Sequence, residues 1–186
     1  MEDESLVANT LFDERRFSEA FEKYRILAEA GSVGAQLRVA WMLETGCGIV
    51  SNPEEARRWY FKAAEGNSPE GEFYLGRLHR ADKLYQAALN CFHNSADQNY
   101  MPSIYQLGVM YELGEGTEIN KDTAFKYYER AAIMGHLRAQ REMAMMLIKG
   151  HAGFKRIPDG VLMLLRFLRD GIRAVLKDPD SDKIRW

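Results

Sequence analysis

The chain has 186 residues, with 25 basic and 27 acidic side chains, a net charge of −2 and a hydrophobic fraction of 46%. This composition excludes a disordered chain and argues against a protein that neutralises nucleic-acid phosphates, which would carry a surplus of positive charge. The longest apolar run, Met143 to Ile148, is six residues, whereas a membrane span needs ~20. The acidic start does not resemble a secretory signal, and two distant cysteines exclude a disulfide-dense scaffold. We therefore expect a cytoplasmic protein, with peripheral membrane association as an alternative.

An internal repeat of 32 or 36 residues organises the sequence. One series of positions carries small residues, and each is followed four residues later by a large residue and eight residues later by alanine or leucine. The small positions are Ala20, Ala56, Ala88, Ala124 and Gly160. A second series, between these, is Ala8, Ala40, Gly76, Gly108 and Ala144. Small and large residues at i, i+4 and i+8 lie on one stripe of an α-helix, so each series predicts a set of equivalent helices.

Five helix–turn–helix units, called hairpins below, follow in chain order, and the two helices of each are called its first and second helix. The predicted order is a disordered segment at 1–4, hairpins at about 5–31, 34–66, 70–98, 102–134 and 138–171, and a C-terminal helix extension and tail at 172–186. Asn52-Pro53 and Ser68-Pro69 are typical helix starts, with a capping side chain followed by proline. No strand pattern is present, so the predicted fold class is all-α. A hairpin cannot bury both faces of its helices, and the units are therefore expected to stack.

The repeat resembles the Sel-one-like family, a branch of the tetratricopeptide superfamily. The run Ser103-Ile104-Tyr105-Gln106-Leu107-Gly108-Val109-Met110-Tyr111-Glu112-Leu113-Gly114-Glu115-Gly116 is similar to the first half of that family's unit, and Trp59-Tyr60-Phe61-Lys62-Ala63-Ala64 to the second. The resemblance covers about residues 5–171. It implies a right-handed α-solenoid and a scaffold that binds other proteins, without naming the partner.

Catalytic and metal-binding patterns are absent from the sequence. The four histidines, His79, His93, His136 and His151, show neither an HExxH motif nor zinc-site spacing with the cysteines. The two Gly-x-Gly elements are Gly46-Cys47-Gly48 and Gly114-Glu115-Gly116. They follow predicted helices, not strands, and are interpreted as helix ends at positive φ instead of phosphate loops. We therefore predict that the chain is not an enzyme and uses no cofactor, metal or nucleic acid.

A stripe of residues on the first helix of each hairpin is the candidate binding groove for a protein partner. In tetratricopeptide-like arrays the corresponding stripe lines the concave face. The predicted groove residues are Leu37, Trp41, Phe73, Arg77, Arg80, Tyr105, Val109, Arg141, Met145 and Ile148. Large aromatic residues are over-represented at binding hot spots, and the arginines predict positive patches that favour an acidic, apolar partner segment. The alternative is that these side chains only pack against neighbouring helices.

The C-terminal segment is apolar nearly all round its predicted helix, although terminal repeats usually have a polar outer face. Its candidate contact residues are Leu165, Phe167, Leu168 and Ile172. Four ways of burying this apolar surface remain open. The same chain could fold back over it, with residues 178–180 ending the helix, or a second copy could cover it in a homodimer. Another partner and a membrane surface are the remaining two. The membrane surface supports an alternative function, that of a peripheral accessory protein of a membrane or envelope machine.

Overall fold

The computed structural model describes residues 2–151 and 153–177, and side chains at 4–151, 153, and 155–170. These residues form ten α-helices and one 3₁₀ turn and contain no strand, which confirms the all-α fold class. The chain divides into two compact units, Met1–Tyr100 and Met101–Trp186.

The first unit contains three helical hairpins. Its helices are α1 (Glu2–Asp13), α2 (Phe17–Glu29), α3 (Val33–Thr45), α4 (Pro53–Glu65), α5 (Pro69–Ala81) and α6 (Tyr85–Asp97). The second unit contains two hairpins. Its elements are α7 (Met101–Leu113), α8 (Lys121–Ile133), α9 (Leu137–Ile148), the 3₁₀ turn (Phe154–Arg156) and α10 (Ile157–Lys177). Within each unit, every helix packs against the next one along the chain.

Of the N-terminal segment 1–4, expected to be disordered, the structure describes residues 2–4, which form the start of α1. The sequence there is Glu2-Asp3-Glu4. Acidic residues in the first turn of a helix interact favourably with its dipole, which explains why charged residues begin a helix here.

Helix ends follow the capping chemistry of the sequence. The Asn52 side chain accepts a hydrogen bond from the Glu55 amide at 3.2 Å, and the Ser68 hydroxyl accepts one from the Gly71 amide at 3.1 Å. The glycines of both Gly-x-Gly elements have φ between +72° and +76°, a region that other residues rarely adopt. These elements end α3 and α7, as predicted.

The small residues of the repeat lie at helix contacts. Ala56 is 1% exposed, and Gly108 is buried against the ring of Tyr128. The large residues of the stripe are buried in the second helix of each of the first four hairpins. They are Tyr24, Tyr60, Phe92 and Tyr128. In α10 the pattern is different: Leu164 is half-buried and Leu168 is 46% exposed. In the described part of the chain no helix follows α10 to cover it.

Three hairpins are joined internally by a tyrosine hydroxyl. Tyr60 of α4 donates to Glu44 of α3 at 2.8 Å, and Tyr128 of α8 donates to Glu112 of α7 at 2.7 Å. In the first hairpin Tyr24 is hydrogen-bonded to the Asn9 side chain at 2.7 Å. Each of these bonds joins the two helices of one hairpin.

Candidate functional site

The predicted groove residues of the first unit lie on α3 and α5. Leu37 and Trp41 line a cleft of about 380 Å³, and neither side chain is fully buried. Gly34, Arg38, Glu70 and Tyr74 complete its lining. Exposed and half-buried side chains from two successive first helices therefore surround an open concavity.

Phe73, although on the same predicted stripe, lies outside this cleft. Its ring packs against Phe92 and Tyr100, with centroids 6.1 and 5.5 Å away. It also meets Tyr74, which lines the cleft, at 5.3 Å. Trp41 makes an edge contact with Phe12 of α1 at 5.9 Å, so part of its surface packs within the fold. The stripe thus combines packing with exposure.

A network of contacts surrounds Tyr74, one of the residues that line the cleft. Tyr74 stacks on Tyr60 with centroids 4.6 Å apart, and Tyr60 donates to Glu44. Arg77 forms an ion pair with the other oxygen of Glu44 and lies over the Tyr74 ring at 5.3 Å. Burial first, and for Tyr60 also the bond to Glu44, raises the pKa of both tyrosines. Both phenols therefore stay neutral at physiological pH.

Two of the arginines expected to give positive patches are paired with carboxylates. Arg77 binds Glu44, and Arg141 of the second unit binds Glu142 at 2.6 Å. The bond to Glu142 raises the pKa of Arg141. At these two arginines the net positive charge is smaller than the sequence predicted. Periodicity does not reveal the pairing of Arg77, because Glu44 lies 33 residues away in the sequence.

The groove residues of the second unit lie on α7 and α9. Tyr105 stacks on His136 with centroids 4.4 Å apart, and its ring also meets Tyr128 at 5.7 Å. Burial raises the pKa of Tyr105 and, together with Arg138, lowers the pKa of His136. Val109 and Ile148 are half-buried, and Met145 is 36% exposed.

Sequence reasoning missed Arg38 and Tyr74 as cleft residues. Both occupy the position two before the small anchor, Ala40 or Gly76, one helical turn before Trp41 or Arg77. The predicted stripe used positions three before, one after and four after the anchor. A wider stripe that included i+3 neighbours would have found both residues. Arg38 lies over the rings of Phe12 and Tyr24, at 5.0 and 5.8 Å.

Metal and thiol chemistry find little support in the described side chains. Among them no cluster of three His, Cys, Asp or Glu residues is placed to hold a metal ion. Burial, followed by the nearby Glu72 carboxylate, raises the pKa of Cys91 to about 12, which opposes formation of a reactive thiolate.

The C-terminal contact residues are placed only in part. Leu165 and Leu168 are 57% and 46% exposed, and Phe167 is half-buried. The side chain of Ile172 and the expected helix end at 178–180 lie outside what the structure describes. In the described ranges, no helix combines the length and the apolar character that crossing a bilayer requires.

Comparison with known proteins places these features in a family. The sequence model of the Sel1 repeat matches residues 33–68, 69–100 and 102–136. Chitin synthase regulatory factor 2 of Schizosaccharomyces pombe is 26% identical over 193 residues, covering 85% of this chain and 36% of that protein. A Neisseria meningitidis serogroup B protein is 29% identical over 127 residues, covering 67% of this chain and 26% of its own length. The chain thus spans about a third or less of these two relatives.

Among solved structures, a Sel1 repeat protein from Oxalobacter formigenes superposes with a TM-score of 0.79 at 24% identity, covering 90% of this chain and 70% of that one. At this identity the likeness shows the fold alone. Sel1 repeat folds are typically non-catalytic and serve as protein-interaction scaffolds. The matched repeats cover more than half of the sequence, and the resemblance noted from the residues is confirmed: the chain belongs to the Sel1 repeat family.

Proposed function

We propose that the protein is a non-catalytic adaptor that holds a segment of a partner protein along its first helices. The observation that carries this proposal is the cleft of about 380 Å³ between α3 and α5, which Leu37, Trp41 and Tyr74 line. Aromatic side chains in such a position supply large contact areas at small cost in conformational entropy. The regulatory role that the name of the S. pombe relative states is compatible with an adaptor.

The cleft suits a segment that is mainly polar and carries a single apolar side chain. Leu37, Trp41 and Tyr74 supply the apolar lining, while Arg38 and Glu70 bring opposite charges to it. A partner segment that places one apolar side chain between an acidic and a basic residue would satisfy both charges. The remaining candidates lie in the second compact unit and extend the proposal to a further contact surface. They are Tyr105, Val109, Arg141, Met145 and Ile148.

The experiment is affinity purification of the tagged full chain from its native cells, followed by quantitative mass spectrometry. Trp41→Ala and Arg38→Glu should each deplete the same bound proteins about tenfold or more, since a hot-spot side chain contributes about 2 kcal/mol or more. Ile133→Ala is the matched control, because it removes an 82% exposed apolar side chain outside the stripe. Equal thermal midpoints exclude unfolding. If both variants retain every protein that the Ile133→Ala control retains, the cleft is not the binding site.

A second candidate function, peripheral attachment to a membrane, is favoured by α10. Its exposed face carries Val161, Leu162, Leu165 and Leu168, each at least 43% exposed. Such a face beside basic residues suits the interface of a bilayer. Flotation with anionic liposomes, compared between the parent and Leu165→Glu, tests this function. Sedimentation of the same two proteins tests the homodimer, which the same residues would form.

A further inference from the structure

One position of the repeat differs in α4 from the other second helices. The residue after the small anchor is apolar in the others: Phe21, Leu89, Phe125 and Val161. In α4 it is Arg57. Phe21 is 7% exposed and lies in the same buried cluster as Val39 and Leu43 of the next helix. The guanidinium of Arg57 instead forms an ion pair with Asp82 at 2.8 Å. The volume that an aromatic ring fills in the preceding repeat is therefore left open.

A cavity of about 560 Å³, named here the α4 pocket, occupies this place. Its lining residues are Arg57, Arg58, Phe61, Lys62 and Glu65 of α4 and Leu75 and His79 of α5. Leu75 is 6% exposed, whereas the phenyl ring of Phe61 beside it is 54% exposed. At the position of Phe61 the other internal second helices carry the polar residues Arg25, His93 and Glu129. An aromatic side chain is thus exposed where α2, α6 and α8 place polar groups, and only the last helix, α10, also has an apolar residue, Leu165.

His79 adds an unsatisfied polar atom to the pocket lining. Its Nδ1 is buried and, within the described part of the chain, makes no hydrogen bond. The equivalent residue of α3 is Leu43, which is 3% exposed in the apolar core. Buried polar atoms are normally hydrogen-bonded, and an exception calls for an explanation. His79 thus places a polar side chain where α3 has a leucine.

The charges around the pocket are mostly positive. Arg58 and Lys62 line it together with a single carboxylate, Glu65, while the charge of Arg57 is offset by its ion pair with Asp82. The Lys62 ammonium lies 4.1 Å from the centre of the Trp59 ring. Arg58 and Lys62 thus give the pocket rim a local surplus of one positive charge over Glu65. A carboxylate placed beside these two cations would be favoured.

A second cavity makes the surface elongated. It has a volume of about 330 Å³, shares Arg58 and Lys62 with the α4 pocket, and adds the carboxylates of Glu54 and Glu55, which precede these cations in the sequence whereas Glu65 follows them. The two cavities therefore follow the surface of α4 one after the other. An elongated tract of this kind suits a stretch of polypeptide better than a compact small molecule.

We propose that the α4 pocket docks a segment of a partner protein in which a large apolar side chain lies next to aspartate or glutamate. The apolar side chain fills the space beside Phe61 and above Leu75, and the carboxylate lies against Arg58 and Lys62. This surface lies between α4 and α5 and shares no residue with the cleft between α3 and α5. It is therefore a second docking site, beyond the proposed function.

The test is selection of a random peptide library displayed on phage against the full chain, with binding of recovered peptides measured by fluorescence polarisation. The key variant is Arg57→Phe, which restores the residue type of the other repeats and fills the pocket. Arg58→Glu reverses one rim charge, and Phe61→Ser removes one wall; both residues are exposed, so folding should persist. Trp41→Ala is the control for the other cleft.

The proposal predicts recovered peptides with a large apolar residue beside Asp or Glu. These should bind Arg57→Phe and Arg58→Glu about tenfold or more weakly, as expected when a buried anchor or its charge partner is lost, and bind Trp41→Ala unchanged. Peptides that bind Arg57→Phe as well as they bind the parent would overturn the proposal. Loss of binding only in Trp41→Ala would also overturn it, while supporting the cleft of the proposed function. If Arg57→Phe fails to fold, Arg58→Glu and Phe61→Ser decide the same question.

Discussion

The contact between Gly108 and Tyr128 offers a quantitative test of the repeat register. A Cβ atom added at Gly108 would lie 2.6 Å from Cε1 and 2.7 Å from Cδ1 of the Tyr128 ring, well inside an ordinary contact. The ring cannot easily withdraw, because it is 1% exposed and its hydroxyl donates to Glu112. Gly108→Ala should therefore push α7 and α8 apart.

The size of the effect follows from two opposing contributions. Overpacking a core by a methylene-sized group costs about 1–3 kcal/mol, while replacing glycine by alanine within a helix gains up to about 1 kcal/mol. Gly34→Ala in α3 is the matched control, since its added Cβ would meet nothing within 4 Å. The control should be neutral or stabilising. The difference in unfolding free energy between the two variants should be about 1–3 kcal/mol.

Urea denaturation followed by circular dichroism measures both variants against the parent. Combining Gly108→Ala with Tyr128→Leu should reduce the cost of the alanine, because the ring atoms it meets are gone. If Gly108→Ala stabilises the protein as much as Gly34→Ala does, or if its cost is the same beside leucine, the close approach of α7 and α8 is refuted.

Two further predictions concern titratable groups. Because burial lowers the pKa of His136 below 6.5, the unfolded chain takes up the proton first, and stability should fall as the pH drops from about 7.5 through the folded pKa. His136→Ser, which places at this helix start the residue that Ser68 provides at α5, should flatten the dependence of the thermal midpoint on pH; an unchanged slope would exclude His136 as its source. Because burial raises the pKa of Cys91 to about 12, a Cys47→Ser variant should react slowly with iodoacetamide when folded and quickly in urea. Fast reaction of the folded variant would contradict the buried environment.

The helix register could be derived from the sequence because it depends on local periodicity. Small and large residues four apart define one helix face, and the burial of Ala56 and Gly108 follows from that spacing. Helix starts were equally readable, since Asn52 and Ser68 bond to amides three residues away. Local rules also explain why α1 begins at Glu2, since acidic residues are favourable in the first turn of a helix.

The surfaces were harder to derive because side-chain direction depends on contacts distant in sequence. Arg77 is neutralised by Glu44, which lies 33 residues away, and Arg57 pairs with Asp82 of the following turn. Periodicity predicts which helix face a residue occupies and not where its charged end goes. The α4 pocket arises because the Arg57 side chain extends to Asp82, and only the packing of α4 against α5 shows this pocket.

The tyrosine bonds within hairpins have a consequence for how the chain folds. Asn9 and Tyr24 are 15 residues apart, and the pairs Glu44–Tyr60 and Glu112–Tyr128 are 16 apart. Closing so short a loop costs little chain entropy and takes well under a microsecond. Each of these hairpins can therefore nucleate by itself and template its neighbour, as expected for repeat proteins whose stability is a sum of local and nearest-neighbour contributions. Damage to one hairpin should consequently slow its own formation while leaving the nucleation of the others intact.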